Sequence, residues 1–458
     1  MVNGLLREMS YLESLSSAKI AIVGAGVTGQ ALRNFLVKRD MHVDIFDEKI
    51  KGLRTEVNAD YNLVIVSPGW KTDHPMIIEL SHHCSEMLSE IDFAWRIKEE
   101  LAPHQRWVAL TGTNGKTTTV NMIQSIFNSA SIHGVACGNV GEPVISALDR
   151  EDHYDVLALE LSSFQLQWSN LPRFTACALL NIAPDHIDWH GSFEEYGSAK
   201  IKLLEYSDLA VINLQDPEVV LRSAPWSGKK IFYSLETPRA GEIGLVDNLL
   251  VDRAFTGDPT VAVDFAEILD LNPSVPHNVS NAMAAAALAL ALGISHEEIR
   301  SGLQSFRLDH HRLERILERD GVVWVNDSKA TNPHAAIAAI LSHLSVVWIA
   351  GGLAKGATMD SLVHRCAKRI RAAILIGADA LLIAQALTEQ APEIPYFIIP
   401  FRENSEQLMH DVVSKAHELA VSGDTVLLAP ACASMDQFKD YAQRGEIFAS
   451  TVREVIGS

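Results

Sequence analysis

At 458 residues the chain is too long for one ordinary core, and two to four domains are expected. With 48% hydrophobic and 21% charged residues it has the balance of folded globular domains, which excludes a disordered or membrane-embedded protein. A net charge of −19 repels nucleic acid, so no nucleic-acid partner is expected, and any anionic substrate must be met by locally concentrated cations and backbone donors.

The amino-terminal MVNGLLREMSYLESL lacks the basic start and apolar block of a signal peptide. Lys19–Val23 then reads as a buried strand, followed by Gly24-Ala-Gly26-Val-Thr28-Gly29 and a helix to about Lys38. His42–Phe46 is a second strand ending at Asp47, and Asn62–Val66 a third ending at Ser67-Pro68-Gly69. A G-x-G-x-x-G turn between strand and helix, with an acid closing the next strand, is the pattern of a dinucleotide site. By itself it reports only a pyrophosphate over a helix start. Any nucleotide diphosphate satisfies it as well as a nicotinamide cofactor does.

A charged run, Lys98–His104, broken by Pro103, precedes the most informative stretch, WVALTGTNGKTTTV at 107–120. Trp107–Leu110 is strand-like, while Val120, Ile123, Ile126 and Phe127 recur at helical spacing. The loop between them runs Gly112-Thr113-Asn114-Gly115-Lys116-Thr117-Thr118. Its glycines let N–H groups approach phosphate oxygens with no Cβ in the way. Lys116 supplies a point charge to terminal phosphates, and Thr117 a hydroxyl for Mg²⁺. The following helix adds the positive end of its dipole. The general P-loop pattern G-x-x-x-x-G-K-[ST] wants a glycine at Leu110. This chain supplies Gly112 instead and keeps a shorter G-T-N-G-K-T core.

Asp155–Leu161 and Ala176–Ile182 are further apolar strands, each ending in polar residues. Glu160, a lone acid at a strand tip beside the phosphate loop, is placed to offer Mg²⁺ a hard oxygen. Asp185-His186-x-Asp188 closes the next strand. From the sequence alone His186 is either a solvated loop histidine or a functional one, as a metal ligand or a donor to a reacting carbonyl. Lys200 lies in a helical stretch, Phe193–Glu205, where a surface lysine is the default. Ser227–Val263, rich in Gly, Pro and Asp, is expected to form hairpins at the edge of the central domain, and Ala282–Leu292 is too short to span a bilayer.

The third block starts near Leu308-Asp-His-His-Arg312 and alternates strands (Val322–Val325, Val346–Ile349, Ala372–Ile376, Thr425–Leu428) with helical stretches. Such alternation predicts parallel, doubly wound α/β sheets, with ligands beyond the carboxyl ends of strands. Asp327-Ser-Lys329-Ala-Thr331-Asn332 and Gly351-Gly-Leu-Ala-Lys355-Gly356 each follow a strand, and Arg312 offers a fork suited to phosphate or carboxylate. Three cationic turns in an acidic chain point to an anionic substrate. Five scattered cysteines (Cys84, Cys137, Cys177, Cys366, Cys432) form no metal spacing and suit a reducing compartment.

In chain order G-T-N-G-K-T, G-N-x-G-x-P (Gly138–Pro143), E-L-S-S-F-Q-L, D-H-x-D, H-N-x-x-N-A (His277–Ala282), H-R and D-S-K-A-T-N resemble the Mur ligases of peptidoglycan synthesis. The resemblance runs from Gly24 to about Phe448. The tail Pro430-Ala-Cys-Ala-Ser434-Met-Asp-Gln-Phe438-Lys-Asp-Tyr441-x-x-Arg-Gly is similar to that of the family's D-glutamate-adding branch. The resemblance implies an α/β chain of three domains. A Rossmann-like N-terminal domain (residues 1–103) would bind a UDP-substrate, and a P-loop-type central ATPase domain (104–308) would bind ATP. A Rossmann-like C-terminal domain (309–458) would bind D-glutamate and complete the ATP site.

The implied reaction joins D-glutamate to UDP-N-acetylmuramoyl-L-alanine through an acyl phosphate, with ATP and two Mg²⁺ ions. Lys116, Glu160, His186 and Lys200 would be the catalytic group. Thr117 and Glu160 would serve one Mg²⁺, His186 and Lys200 the other. An ammonium cannot bind a cation, so Lys200 would have to be carbamylated. Asn139 would contact the lactyl-alanyl part, and Asn278, Arg312, Asp327 and Lys329 would help hold ATP. Thr331, Lys355, Ser434 and Tyr441 would hold D-glutamate. The glycine turn with Thr28, Asp47 and Ser67-Pro68-Gly69 would bind the UDP end instead of NAD. Tyr441 stands where the pattern has phenylalanine and Glu48 where it often has threonine, which leaves those two contacts open; Trp70 and Lys71 are further places where substrate binding could differ. A cytoplasmic monomer with no membrane span is expected. The phosphate loop and the D-S-K-A-T-N turn lie far apart in sequence, so domain closure is expected as well.

Overall fold

The computed structural model describes residues 10–457. The opening MVNGLLREM, on which the signal-peptide reading partly rests, lies outside the described residues. The fold is α/β with three sheets. They belong to two compact units, one made of the chain up to Ile182 with Glu194–Leu271 and Val279–Phe306, the other of Ala183–Phe193, Asn272–Asn278 and Arg307–Ser458.

The first sheet of the first unit has four parallel strands in the order Val43–Phe46, Ile20–Val23, Tyr61–Val66, Cys84–Ser89. Ile20–Val23 is buried at every position, the mark of a parallel strand covered on both faces. The helix Val27–Val37 covers it with Leu32, Phe35 and Leu36. The chain leaves Ile20–Val23 first to one side and then to the other. That reversal opens a crevice beyond the carboxyl ends of Ile20–Val23 and Tyr61–Val66, the usual ligand position in such sheets.

The second sheet has nine strands, running Val263–Glu267, Leu249–Asp252, Glu242–Val246, Lys229–Tyr233, Leu209–Asn213, Ala176–Leu179, Arg106–Thr111, Val156–Glu160, Gly134–Gly138. Pairing is parallel from Glu242–Val246 through Gly134–Gly138, with antiparallel strands only at the far edge. The hairpin expected within Ser227–Val263 is Glu242–Val246 with Leu249–Asp252, but Lys229–Tyr233 joins the parallel part. The helix Lys116–Ser129 buries Val120, Ile123, Ile126 and Phe127, the four residues that set its period. It packs on His296–Ser305, where a Cβ at Gly302 would lie 2.5 Å from Ile126 Cα. The stretch expected as one helix over Phe193–Glu205 divides into an α-helix, Phe193–Ile201, and a 3₁₀ turn, Lys202–Tyr206.

The six-stranded sheet of the second unit runs Glu314–Arg319, Val322–Asn326, Thr425–Leu428, Val346–Gly351, Ile370–Ile376, Tyr396–Ile398. All pairs are parallel except Glu314–Arg319 with Val322–Asn326. Trp348 and Ile340 fill one face; Trp324, Phe448 and Val452 fill the other. The edge strand ERILER carries a charged pair at each end, Glu314-Arg315 and Glu318-Arg319, which protects an unpaired edge and also hides it from an apolar-run search.

Candidate active site

In the first unit the phosphate loop leaves the end of Arg106–Thr111 and enters the helix Lys116–Ser129. Asn181, just past the neighbouring strand, ties the loop down. Its carbonyl accepts from Thr113 N–H at 2.9 Å, its Oδ1 accepts from Asn114 N–H at 2.8 Å, and its Nδ2 donates to Asn114 O at 3.1 Å. The Tyr196 hydroxyl meets Thr113 Oγ1 at 2.8 Å. Gly115 is left-handed at φ +81, and a Cβ there would lie 2.5 Å from Asn281 Oδ1. Only glycine suits that position.

Lys116 Nζ curls over the loop and donates to Gly112 O at 2.8 Å and Thr113 O at 3.0 Å. Lys200, the default surface lysine of the sequence reading, is 1% exposed and donates to the same Gly112 carbonyl at 2.8 Å. The helix carrying it therefore lies under the loop, with the Tyr196 ring 4.8 Å from its Nζ. Thr117 is half-buried and Thr118 buried at the helix start.

Glu160 pairs in register with Leu110 on one side and Gly138 on the other. It is 2% exposed, and its Oε1 accepts from Asn139 Nδ2 at 3.0 Å. Its Oε2 is buried with no hydrogen-bond partner. A half-satisfied buried carboxylate at the strand tips fits a divalent cation, because a lone charge there is costly without one. Among the described residues no group of three or more His, Cys, Asp and Glu could hold a metal. The Glu160 carboxylate, with one oxygen left open, suits Mg²⁺, which keeps waters and takes phosphate oxygens in place of a protein cage.

At the amino-terminal turn Gly24 is left-handed at φ +98, and a Cβ on Gly29 would lie 1.8 Å from Gly24 O. The helix can approach the turn only with glycine there. Asp47 is buried, its Oδ2 accepting from Ala25 N–H at 2.9 Å and Oδ1 from Lys49 N–H at 3.0 Å. The carboxylate thus braces the glycine turn. Gly26 caps the helix without a side-chain bond, and Thr28 is half-buried in its first turn. Ser67 Oγ is buried without a partner beside Gly24, followed by half-buried Pro68 and exposed Gly69. Glu48 pairs with His74 at 3.3 Å, and the His74 ring stands edge-on to Trp70 at 4.7 Å.

In the second unit, Pro184–Ile187, Thr331, Asn332 and Ala354–Ala357 line one cleft, which brings His186, Thr331 and Lys355 together. His186 is held left-handed at φ 52, its N–H donating to Asp185 Oδ1 at 2.9 Å, and Asn332 Nδ2 reaches Asp185 Oδ2 at 3.4 Å. Asp327 Oδ1 accepts from Leu313 N–H at 3.2 Å. Burial pushes the Asp327 carboxyl up to about 7, against the lowering pull of that N–H and of Arg312. Lys329 Nζ sits 3.6 Å from the centre of the Tyr441 ring, so a residue assigned to ATP and one assigned to D-glutamate are neighbours. Asn278 is buried, with Nδ2 donating to Pro273 O at 3.1 Å.

One residue the sequence reading gave no role joins the loops of this unit. Arg444, fully buried, donates to Ser328 Oγ at 3.0 Å and Ser328 O at 2.9 Å, to Cys432 O at 3.2 Å and to Gly351 O at 3.4 Å. Those three residues begin or flank the turns that carry Lys329, Ser434 and Lys355. No local signal in the helix Tyr441–Val455 marks an arginine as buried. Asn181 was missed too, although an asparagine directly after an apolar run was visible.

These features define an α/β protein built to hold a nucleoside triphosphate. Residues 110–289 match the Mur ligase middle domain, and residues 311–432 match the glutamate ligase domain of the Mur ligases. A UDP-N-acetylmuramoylalanine–D-glutamate ligase of Thermobifida fusca is 42% identical over 97% of this chain and 100% of its own length. One of the same name from Streptomyces coelicolor is 46% identical over 86% of this chain and 84% of its own. In fold the chain is similar to a pseudomurein peptide ligase type C from Methanothermus fervidus (TM-score 0.60, 18% identity, 96% and 99% covered). The chain belongs to the Mur ligase family.

Proposed function

We propose that this chain is an ATP-dependent amide ligase that adds D-glutamate to UDP-N-acetylmuramoyl-L-alanine in peptidoglycan precursor synthesis, in the cytoplasm and as a monomer. The observation that carries the reading is the bonded pair Asn139–Glu160 at the strand tips beside the Gly112–Thr118 loop. It joins a substrate-facing amide to a metal-facing carboxylate. The expected domains remain 1–103 for the UDP-substrate, 104–308 for ATP and 309–458 for D-glutamate.

The substrate carboxylate attacks the γ-phosphorus of ATP, ADP leaves, and an acyl phosphate forms. The D-glutamate amine then adds to its carbonyl carbon. The tetrahedral intermediate expels phosphate, and the amine proton passes to solvent or to the departing phosphate. Two anions must meet, so positioning and charge neutralisation dominate the barrier. Loop N–H groups and Lys116 orient the phosphates, and Asn139 orients the muramoyl-alanyl end. Thr117 and Glu160 would hold one Mg²⁺, with His186 and a carbamylated Lys200 for a second, to neutralise charge on the phosphates. Carbamylation would leave Lys200 Nζ one N–H for Gly112 O and add two acceptor oxygens that a cation can take. Asn278, Arg312, Asp327 and Lys329 are the proposed ATP contacts of the second unit; Thr331, Lys355, Ser434 and Tyr441 take D-glutamate. Thr28, Asp47 and Ser67-Pro68-Gly69 serve the UDP end.

Label transfer tests this chemistry. With ¹⁸O in the carboxylate of UDP-N-acetylmuramoyl-L-alanine, one labelled oxygen should appear in the inorganic phosphate. Unlabelled phosphate would exclude an acyl phosphate.

A further inference from the structure

None of the roles above uses the carboxyl of Glu90. The residue opens the helix Glu90–Leu101, directly after the last strand of the four-stranded sheet, and is 2% exposed. Both oxygens are sealed from solvent and neither has a well-formed hydrogen bond. The Gln165 side chain and the Val144 N–H bear on its charge, and that charge bears on Cys137. These neighbours bracket one loop. Cys137 is the penultimate residue of the strand Gly134–Gly138 before it, Val144 is the first residue of the helix Val144–Leu148 after it, and Gln165 sits in the helix Ser163–Trp168 that follows Glu160. The helices Glu90–Leu101 and Val144–Leu148 pack on each other. A buried acid kept without a strong partner is costly where an apolar side chain would fit.

We propose that Glu90 is a positioning residue for the UDP-sugar substrate, its buried carboxyl packed where its helix meets the helix that follows the Gly138–Pro143 loop and so setting Asn139. The inference rests on the function proposed above. Burial pushes the Glu90 pKa up to about 7, against the lowering effect of Gln165 and the Val144 N–H. The carboxyl is therefore neutral in mildly acidic solution and ionises near neutrality. The titratable groups facing it add no cation. The Cys137 thiol is pushed up by burial and stays neutral, Glu142 acts on that thiol from the loop itself, and Asp92 on Glu90's own helix is bound to the Asn170 and Leu171 N–H groups. Ionisation places an uncompensated charge between the ends of the loop and shifts it.

The test is the KM of each substrate from pH 6 to 8, in wild type, Glu90→Gln and Glu90→Ala. In wild type the KM for UDP-N-acetylmuramoyl-L-alanine should rise about tenfold by pH 8 as the protonated form is lost, while the KM for ATP should follow the same pH course in wild type and Glu90→Gln. Glu90→Gln, neutral at every pH, should remove that rise, and Glu90→Ala should show a high KM already at pH 6. A Glu90→Gln profile for UDP-N-acetylmuramoyl-L-alanine that follows wild type, or an equal effect of Glu90→Gln on the KM for ATP, overturns the role of Glu90 alone. A wild-type protein with no D-glutamate-dependent turnover overturns the proposed function and this role with it.

Discussion

Replacing Arg444 by methionine should loosen three site turns at once. The substitution removes charged donors from three buried carbonyls, those of Ser328, Cys432 and Gly351. At about 1–3 kcal/mol for each orphaned acceptor, and with two of the bonds long, the gross loss is about 6 kcal/mol. Burial, only partly offset by Cys432 and Asp436, already pulls the guanidinium pKa down to about 10. Removing that poorly solvated charge returns about 3 kcal/mol. A net loss of about 3 kcal/mol remains, to be read as a lower urea midpoint. If half of it falls on the substrate-competent arrangement of the turns, the KM for D-glutamate rises about tenfold, while that for the UDP-sugar, whose proposed contacts lie in the first unit, stays put. Arg444→Lys keeps the charge but not the fork, and should move both quantities less in the same direction. A folded Arg444→Met protein with wild-type midpoint and unchanged KM for D-glutamate would refute the reasoning.

Lys116→Ala should lower kcat by ~10²–10³, since one preorganised charge contact to the reacting phosphate is lost; a near-wild-type rate would take the loop out of the chemistry. Asp327 holds its proton in the folded protein up to about pH 7, whereas the unfolded chain releases it in the ordinary carboxylate range. The folded form therefore binds more protons between those values, and stability, full in acid, falls as pH rises through about 7. The effect is at most about 4 kcal/mol, and less because the residue keeps part of its surface in solvent. Urea midpoints at pH 5 and 8 should converge in Asp327→Asn beyond the share due to Glu90; a pH dependence equal to wild type would contradict the assignment. Incubation with ¹³C-bicarbonate should give a carbamate carbon signal that Lys200→Ala lacks, and the same spectrum from both proteins would remove Lys200 as a ligand.

The elements bearing the site were legible because their patterns are local. The run Ala-Ile-Val before Gly24 and the spacing of Val120, Ile123, Ile126 and Phe127 each declare a buried strand or a helix face. The phosphate loop was legible for the same reason: its glycines answer to backbone conformation. Edge strands such as Glu314–Arg319 and Tyr396–Ile398 were not, because the first is interrupted by charged pairs and the second is only three residues long. The residues alone make Lys200 a surface lysine by default, and only the family resemblance gives it a role, because helical position does not tell which face lies beneath a loop. Arg444 and Glu90 are buried charged groups whose partners are far away in sequence, and nothing within a few residues of either announces them.

The most direct measurement of the central claim is phosphate release from ATP with UDP-N-acetylmuramoyl-L-alanine and a panel of amino acids. D-glutamate should support turnover, and L-glutamate, L-alanine and meso-diaminopimelate should leave the rate at background. Equal turnover with L-alanine or meso-diaminopimelate, or phosphate release that needs no amino acid, would contradict it.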